Sequence, residues 1–426
     1  MPSVLCHRLS YLIEYRILFW QVMVKLGFTE KLGRPEAAMR DMKASARRFL
    51  IETATVQADQ LVVASSESDD PLLLTPGPLT TSLSVKRAML HDLGSRDSAF
   101  VEATKDVLTC ILALAGGDDN FVCVPMQGSG TFAVEAMISS LVPAEAVVLI
   151  LENGAYGKRI ASICSVYKIA HHVSSYDECA PVDVLKVTDL LRSRRFTHVS
   201  IVHCETTSGV TNPVEEIARI ATETGCGLLV DVMSSFGVLK VDVRAWNAEG
   251  IAFSSNKGLQ GPPGIGFCIV KRTALVAIGR GRTMALDLGP QSQMIESCGQ
   301  WRFTPPTHVL IGLQQALREL DFEGGIAARR ARYASNCDVV VAGMKSVGFQ
   351  PIVAPEWQAP IILTFPIKPG MNFLAFMSYM KERGFIIYEG KCSKMSSFRV
   401  GCMGHIDSAS FRSFCEVCRK YFGVTP

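Results

Sequence analysis

The feature that most constrains this chain is the alternation of short apolar runs with amphipathic stretches after residue 120. Two stretches, residues 131–141 and 214–224, have helical spacing. The runs are brief, rich in β-branched residues and bounded by Gly, Pro, Asn or Asp, as is typical of buried strands. They cover residues 121–124, 146–151, 199–204, 228–232, 251–254 and 266–270. The alternation predicts an α/β fold with a mostly parallel sheet flanked by helices.

The rest of the chain predicts two further regions. Strand candidates at residues 361–365, 385–388 and 398–400 and a closing helix at 408–421 indicate a smaller α+β domain. The predicted division is an N-terminal extension of unknown role at 1–70, a large ligand-binding domain at 71–305 and a small domain at 306–426. Within the large domain, an arm at residues 71–90 is expected to pack on the small domain.

The first seventy residues differ in composition from the rest of the chain. Their apolar stretch at residues 11–28 is interrupted by Glu14, Arg16 and Lys25, so it is shorter than a membrane span requires. A basic excess up to Arg48 leaves an organelle-targeting presequence, mitochondrial for example, as an alternative. Glu14 and the scarcity of early serines favour an accessory helical extension and a cytoplasmic protein.

Charge and cysteine content restrict the function classes. The 43 basic and 40 acidic residues give a net charge of +3, which predicts neither nucleic acid nor a membrane as partner. The 14 cysteines are scattered, and the CxxC at Cys415 and Cys418 has no second ligand pair nearby. We therefore expect no metal site and no disulfide scaffold, and a reducing compartment.

The segment from Gln127 to Thr131, QGSGT, follows a predicted strand and precedes a predicted helix. Such a helix start offers unpaired backbone N–H groups and the positive end of the helix dipole, which together bind phosphate. A plain strand-to-helix turn that uses glycine for its conformational freedom is the alternative.

Two titratable side chains follow neighbouring predicted strands. Asp231 ends the run 227–230, where a buried carboxylate requires a cation such as a protonated pyridine nitrogen. A helix-capping or metal-binding aspartate is the alternative. Lys257 ends the next strand before a glycine-rich loop, where desolvation would lower the pKa of its amine and favour Schiff-base chemistry. The order of turn, acid and lysine predicts cofactor chemistry.

Several segments resemble the class V group of the fold-type-I aminotransferases, and in particular its members that act on aminophosphonates. The resemblance runs from about residue 70 to the C-terminus. The matching segments are 72–81 (LLLTPGPLTT), 127–131 (QGSGT), 133–136 (AVEA), 153–157 (NGAYG), 203–209 (HCETTSG), 231–237 (DVMSSFG), 254–257 (SSNK), 301–308 (WRFTPPTH) and 398–401 (FRVG).

The resemblance implies pyridoxal 5′-phosphate as cofactor and a homodimer with shared active sites. Lys257 would carry the cofactor covalently, and Asp231 would pair with its pyridinium nitrogen. Met233 and Tyr156 would lie against the two ring faces. The cofactor phosphate would be held by Ser129, Gly130 and Thr131, with Thr304 reaching it from the partner subunit.

The implied reaction is a two-step transfer of an amino group from 2-aminoethylphosphonate to pyruvate, with Arg399 clamping the phosphonate or carboxylate. An alanine:glyoxylate or serine:pyruvate aminotransferase would use the same lysine and acid. A lyase of hydroxylated aminophosphonates is a more distant alternative. A non-catalytic dimeric relative is disfavoured because Lys257 and Asp231 are both present.

Overall fold

The computed structural model describes residues 70–279 and 281–424 of the chain. The predictions for the N-terminal extension, including its targeting and membrane alternatives, concern residues 1–70 and lie outside the described residues except for Asp70. Within the described ranges, no helix is both long enough and apolar enough to cross a membrane.

A seven-stranded sheet forms the centre of the fold. Its strand order is β2-β10-β9-β8-β5-β3-β4, and all neighbouring strands are parallel except for β10, which is antiparallel to both of its neighbours. The strands are β2 (Phe121–Gln127), β3 (Val147–Glu152), β4 (Ala170–Ser175), β5 (His198–Val202), β8 (Gly227–Asp231), β9 (Gly250–Ser254) and β10 (Ile265–Lys271). This topology confirms the predicted α/β class.

Six of these strands coincide with predicted apolar runs because both faces of the sheet are covered. On β3, for example, Leu149 and Leu151 pack into one apolar core, whereas Val148 and Ile150 pack into the core on the opposite face. Such strands need continuous apolar sequence rather than alternation.

Three details differ from the prediction. The predicted strand at residues 385–388 is divided between two short strands, residues 385–386 and 388–389, which belong to different sheets. Strand β4 was not predicted, because at the sheet edge its sequence AHHVSS is polar and only Ser174 is buried. The run at residues 199–204 is also not a single strand. The sheet strand ends at Val202, and a short hairpin of β6 (Cys204–Glu205) and β7 (Val210–Thr211) follows it.

Helices cover the sheet and connect its strands. The predicted helix at 131–141 spans Gly130–Leu141, and the one at 214–224 spans Val214–Glu223. In chain order, the described helices are α1 (Leu83–Ala88), α2 (Ser98–Leu114), α3 (Gly130–Leu141), α4 (Ala155–Val166), α5 (Val184–Ser193), α6 (Val214–Glu223), α7 (Arg272–Ile278), α8 (Leu288–Cys298), α9 (Thr307–Glu323), α10 (Gly325–Ser346), α11 (Phe373–Lys381) and α12 (Ser408–Tyr421).

A small sheet forms near the C-terminus. Its antiparallel order is β11-β14-β13, from β11 (Ile362–Pro366), β13 (Tyr388–Glu389) and β14 (Ser397–Gly401). Beside it, β1 (Leu72–Leu73) pairs in parallel with β12 (Phe385–Ile386), so the first described strand lies with the C-terminal part of the chain.

The core of this C-terminal part is rich in phenylalanine. Cys415 and Cys418 are buried in it, and no group of His, Cys, Asp or Glu within the described ranges could hold a metal ion. Helix α9, in contrast, packs with the large sheet through Leu310, Leu313 and Leu317. The division at residues 305 and 306 stays a prediction.

Candidate active site

A cavity of about 170 Å³ opens at the edge of the large sheet where its parallel strands end. The carboxyl ends of parallel strands share one edge, and ligands of open α/β sheets bind outside it. Four chain segments that follow β2, β3, β8 and β9 line the cavity. Their lining residues are Ser129, Gly130, Thr131, Val134, Tyr156, Arg159, Asp231, Met233, Ser234, Ser254, Asn256 and Lys257.

One wall of the cavity is the start of helix α3. Ser129 is the N-cap residue, and its hydroxyl does not cap the helix. The first N–H groups of a helix have no intrahelical acceptor, so this wall presents donors and the positive end of a dipole. A side chain at Gly130 would meet the thioether of Met233, which would have to move, so glycine allows the two residues to approach closely.

Arg159 is a cavity residue that the sequence did not identify. It lies in the second turn of α4, three residues after Tyr156, and this spacing places the two on one helix face. Its Nη1 donates a hydrogen bond of 2.9 Å to Thr131 Oγ1, and its guanidinium carbon is 4.9 Å from the centre of the Tyr156 ring. The guanidinium therefore adds positive charge at the start of α3.

Asp231 is the last residue of β8 and is buried. Its Oδ1 accepts a hydrogen bond of 2.8 Å from the Met233 N–H. Burial raises the pKa of Asp231 to about 6, although the Met233 N–H and the charges of Arg159 and Lys257 oppose this rise. A cation bound against the carboxylate would relieve the cost of burying it.

Lys257 lies three residues beyond the end of β9, and its amine donates a hydrogen bond to the carbonyl of Pro76. Burial, followed by the nearby charge of Arg399, lowers the pKa of Lys257 to about 8, against the opposing effect of Asp231. A lysine with such a pKa is neutral, and thus nucleophilic, in a much larger fraction than a surface lysine at the same pH.

The loop after Lys257 is held by interactions from distant parts of the chain. Buried Arg329 donates a hydrogen bond of 2.9 Å to the Gly258 carbonyl and forms a 2.9 Å ion pair with Glu323. A side chain at Gly258 would collide with the carbonyl of Phe236. The lysine is therefore presented from a fixed backbone.

Buried Glu205 organises the start of α4, which carries Tyr156 and Arg159. Its Oε2 accepts the N–H groups of Tyr156 and Gly157 at 3.2 and 3.3 Å, and its Oε1 accepts the Thr207 hydroxyl at 2.6 Å. Burial raises the pKa of Glu205. The sequence did not single out this residue, although it lies in the segment HCETTSG that carries the family resemblance.

Arg399 lies in the middle of β14, is buried, and is not among the cavity-lining residues. Its Nη1 donates to the Thr206 carbonyl at 3.1 Å, and its Nε and Nη2 donate to the Glu389 carbonyl at 3.3 and 3.1 Å. Burial lowers the pKa of Arg399, and Tyr156 opposes this effect. The guanidinium is thus held between the turn of the β6–β7 hairpin and the small sheet.

The structure brings most of the predicted site residues together. Two of them lie apart from the lining of the cavity. Arg399 is one, and Thr304, an exposed residue in the loop before α9, is the other. The residues that line the cavity as predicted are Ser129, Gly130, Thr131, Tyr156, Asp231, Met233 and Lys257.

Comparisons with known proteins agree with this geometry. The family model of class-V aminotransferases matches residues 80–416. The chain is 46% identical over 346 residues to the 2-aminoethylphosphonate–pyruvate transaminase of Pseudomonas aeruginosa, covering 80% of this chain and 93% of that one. It is also 46% identical over 347 residues to the enzyme of the same name from Burkholderia pseudomallei, with 80% and 94% covered.

Solved structures are similar over the same region. The alanine–glyoxylate aminotransferase of a Nostoc species superposes with a TM-score of 0.77 at 25% identity, covering 85% of this chain and 98% of that one. The pyridoxamine–pyruvate aminotransferase of Mesorhizobium loti superposes with a TM-score of 0.75 at 24% identity, with 85% and 93% covered. Because the family model matches most of the chain, this protein is a transaminase that belongs to the class-V aminotransferase family.

Proposed function

We propose that this protein transfers the amino group of 2-aminoethylphosphonate to pyruvate, giving phosphonoacetaldehyde and L-alanine, with pyridoxal phosphate as cofactor. The observation that carries the reaction type is the partly buried Lys257, whose lowered pKa makes it a nucleophile and a base near Asp231. The substrate assignment rests on the relatives that carry this name at 46% identity over most of both chains.

The donors around the cavity fit pyridoxal phosphate. Its phosphate would lie at the start of α3, where the N–H groups of residues 129–131 and the guanidinium of Arg159 supply positive charge. Its ring nitrogen would be protonated against the Asp231 carboxylate. Met233 and Tyr156 line the same cavity and would pack on the ring.

Bound there, the cofactor would supply a carbonyl that captures the substrate amine and a ring that withdraws electrons from the substrate carbon. Asp231 would hold the ring nitrogen in its protonated state. Lys257 Nζ would remove the proton from the carbon that bears the substrate amine, as a general base. A pKa near 8 suits this role, because the amine exchanges protons readily near neutral pH.

Arg399 would bind the anionic end of each substrate. Among the described residues, three of its N–H groups are used by the Thr206 and Glu389 carbonyls. A guanidinium has five such donors, so the remaining side of Arg399, which also interacts with Tyr156, could bind a phosphonate or carboxylate. Because the two carbonyls already fix the side chain, little conformational entropy would be lost when the anion binds.

We also propose a homodimer. Thr304 is exposed and lies outside the cavity of its own chain, as expected for a residue that contacts the phosphate site of a partner subunit. Exposed Phe132 and Phe303 lie near Ser129 and Thr304 in sequence and would be covered by such a contact. The molar mass in solution, measured by light scattering, tests this part of the proposal.

The experiment that tests the function is an amino-donor screen with purified, cofactor-loaded protein. It follows the change in visible absorbance as 2-aminoethylphosphonate, alanine, serine and other amines are added. Fast conversion by 2-aminoethylphosphonate and by alanine, with other amines slow, is expected. No reaction with the aminophosphonate together with rapid conversion by alanine or serine would overturn the substrate assignment in favour of a glyoxylate-type transaminase.

A further inference from the structure

The loop of residues 390–396, between β13 and β14, carries a lysine to the rim of the active site. Lys391 Nζ is 5.6 Å from the centre of the Tyr156 ring, whose residue lines the cavity. The Arg159 guanidinium lies 4.9 Å from the centre of the same ring. Two cations from different parts of the chain thus lie close to one aromatic ring of the site.

This loop is tied to the segment that follows β4. The N–H and hydroxyl of Ser393 donate to the Glu178 carboxylate at 2.7 and 2.9 Å, and Lys394 pairs with Asp177 at 3.0 Å. Glu178 is buried, and although burial opposes the change, the Ser393 donors and Lys158 lower its pKa. The backbone next to Lys391 is therefore held in place by a charged, buried anchor.

Lys391 differs from the neighbouring lysines in how its positive charge is paired. Lys394 is neutralised by Asp177, and Lys158 by Glu178. Within the part of the chain that the structure describes, no carboxylate forms an ion pair with Lys391. Burial is the main cause of the lowered pKa of Lys257, and the positive charges of Arg399 and Lys391 lower this pKa further.

The two kinds of substrate differ in charge. A carboxylate carries one negative charge, which the guanidinium of Arg399 can match. A phosphonate has three oxygens and, unlike a carboxylate, can lose a second proton near or above neutral pH and so carry a second negative charge. Burying that second charge is unfavourable unless a second cation lies nearby.

We infer that Lys391 is the second cation of the substrate site and that it selects phosphonate over carboxylate amines. This inference rests on the proposed function. Arg399 would bind either anion, whereas Lys391 would pair with the additional charge that only the phosphonate brings. Its flexible side chain allows the ammonium to follow an anion larger than a carboxylate.

The test compares Lys391→Met with the matched control Lys394→Met, which removes a positive charge from the same loop. For each cofactor-loaded protein, single-turnover conversion gives apparent dissociation constants for 2-aminoethylphosphonate and for alanine. Lys391→Met should weaken the aminophosphonate about 10- to 100-fold, as expected for a lost hydrogen bond between charged groups, and alanine less than about threefold. Lys394→Met should change neither constant by more than about threefold.

A second readout does not depend on turnover. Ethylphosphonate lacks the amine, so its binding, measured by calorimetry at a pH above its second ionisation, reports the anion site alone. Lys391→Met should weaken it by the same factor as the aminophosphonate, and Lys391→Arg should restore part of the loss. An equal loss for alanine, or no loss for ethylphosphonate, would overturn the inference. If the unmodified protein does not convert 2-aminoethylphosphonate at all, the proposed function itself fails, which is a distinguishable result.

Discussion

The amine of Lys257 donates a hydrogen bond to the backbone carbonyl of Pro76, which lies 181 positions earlier in the chain. The neighbouring Gly77 has φ +125°, and a side chain there would collide with the same amine. The segment after β1 therefore covers the lysine, and its backbone determines how much room the amine has.

Gly77→Ala should displace the amine of Lys257 and lower the transaminase activity without unfolding the protein. The added methyl group would displace the amine, so we expect amino-group transfer to fall at least about tenfold. Gly370→Ala is the matched control, because Gly370 also has positive φ, at 78°, but has nothing within 4 Å of its added carbon. Steady-state rates and thermal unfolding of both variants check this. Equal activity losses would mean that backbone strain, rather than contact with Lys257, is responsible.

Asp231→Asn should stabilise the cofactor-free protein while it abolishes activity. The raised pKa of about 6 means that the folded state binds a proton more tightly than the unfolded state does. The carboxylate consequently destabilises the fold above pH 6, by on the order of 2–3 kcal/mol. Asparagine keeps the acceptor for the Met233 N–H but carries no charge.

Urea unfolding at several pH values measures this effect. The stability difference between the two cofactor-free proteins should be largest near pH 7 and should disappear as the pH falls from about 6 towards 4, where Asp231 becomes protonated in both states. A variant that is less stable than the unmodified protein at pH 7 would show that the buried carboxylate is already compensated. Retained transaminase activity would remove Asp231 from the mechanism.

Several of these residues were predictable because each lies next to the element that positions it. Asp231 ends β8, Lys257 follows β9, and the turn before α3 follows β2. Parallel strands place all three at one sheet edge, which local apolar patterns suffice to predict. The predicted strands of the large sheet were confirmed, apart from the end of the run at 199–204, because buried parallel strands need continuous apolar sequence.

Other parts of the site depend on contacts between distant segments. Such contacts leave no local pattern in the sequence and could not be predicted from it. Arg159 bonds to Thr131 across 28 positions, and Glu178 bonds to Ser393 across 215. Strand β4 was not predicted, because an exposed edge strand needs little apolar sequence. Thr304 and the dimer stay predictions, because a single chain does not contain the surface that would test them.

Lys257 should react with the cofactor at a rate that follows its own ionisation. Since only the neutral amine attacks a carbonyl, the initial rate of covalent cofactor uptake by cofactor-free protein should rise about tenfold per pH unit below pH 8 and level off above it. Stopped-flow absorbance measures this rate. Lys257→Ala should abolish both the uptake and the transaminase activity, whereas Lys240→Ala, at an exposed position, should alter neither. A rate that continues to rise tenfold per pH unit well above pH 8, as for an ordinary lysine, would contradict the lowered pKa.

Arg159→Met should weaken cofactor binding more than substrate binding. Its guanidinium lies at the start of α3 beside Thr131, where the cofactor phosphate is proposed to bind. Loss of one charge-assisted contact should raise the dissociation constant of pyridoxal phosphate about 10- to 100-fold. Spectroscopic titration measures this constant, and saturating cofactor should restore most of the activity. Unchanged cofactor affinity would place the phosphate elsewhere in the cavity.

Arg399→Lys tests whether substrate binding requires the planar shape of the guanidinium or only its positive charge. Lysine retains the positive charge but lacks the planar fork, which can hold the Thr206 and Glu389 carbonyls and an anion at the same time. We expect the Michaelis constants of 2-aminoethylphosphonate and alanine to rise together, by about 10- to 100-fold, because both anions would use the fork. Steady-state kinetics in both directions measure the two constants, and thermal unfolding controls for the lost carbonyl contacts. A rise confined to one substrate would show that the two anions do not share Arg399.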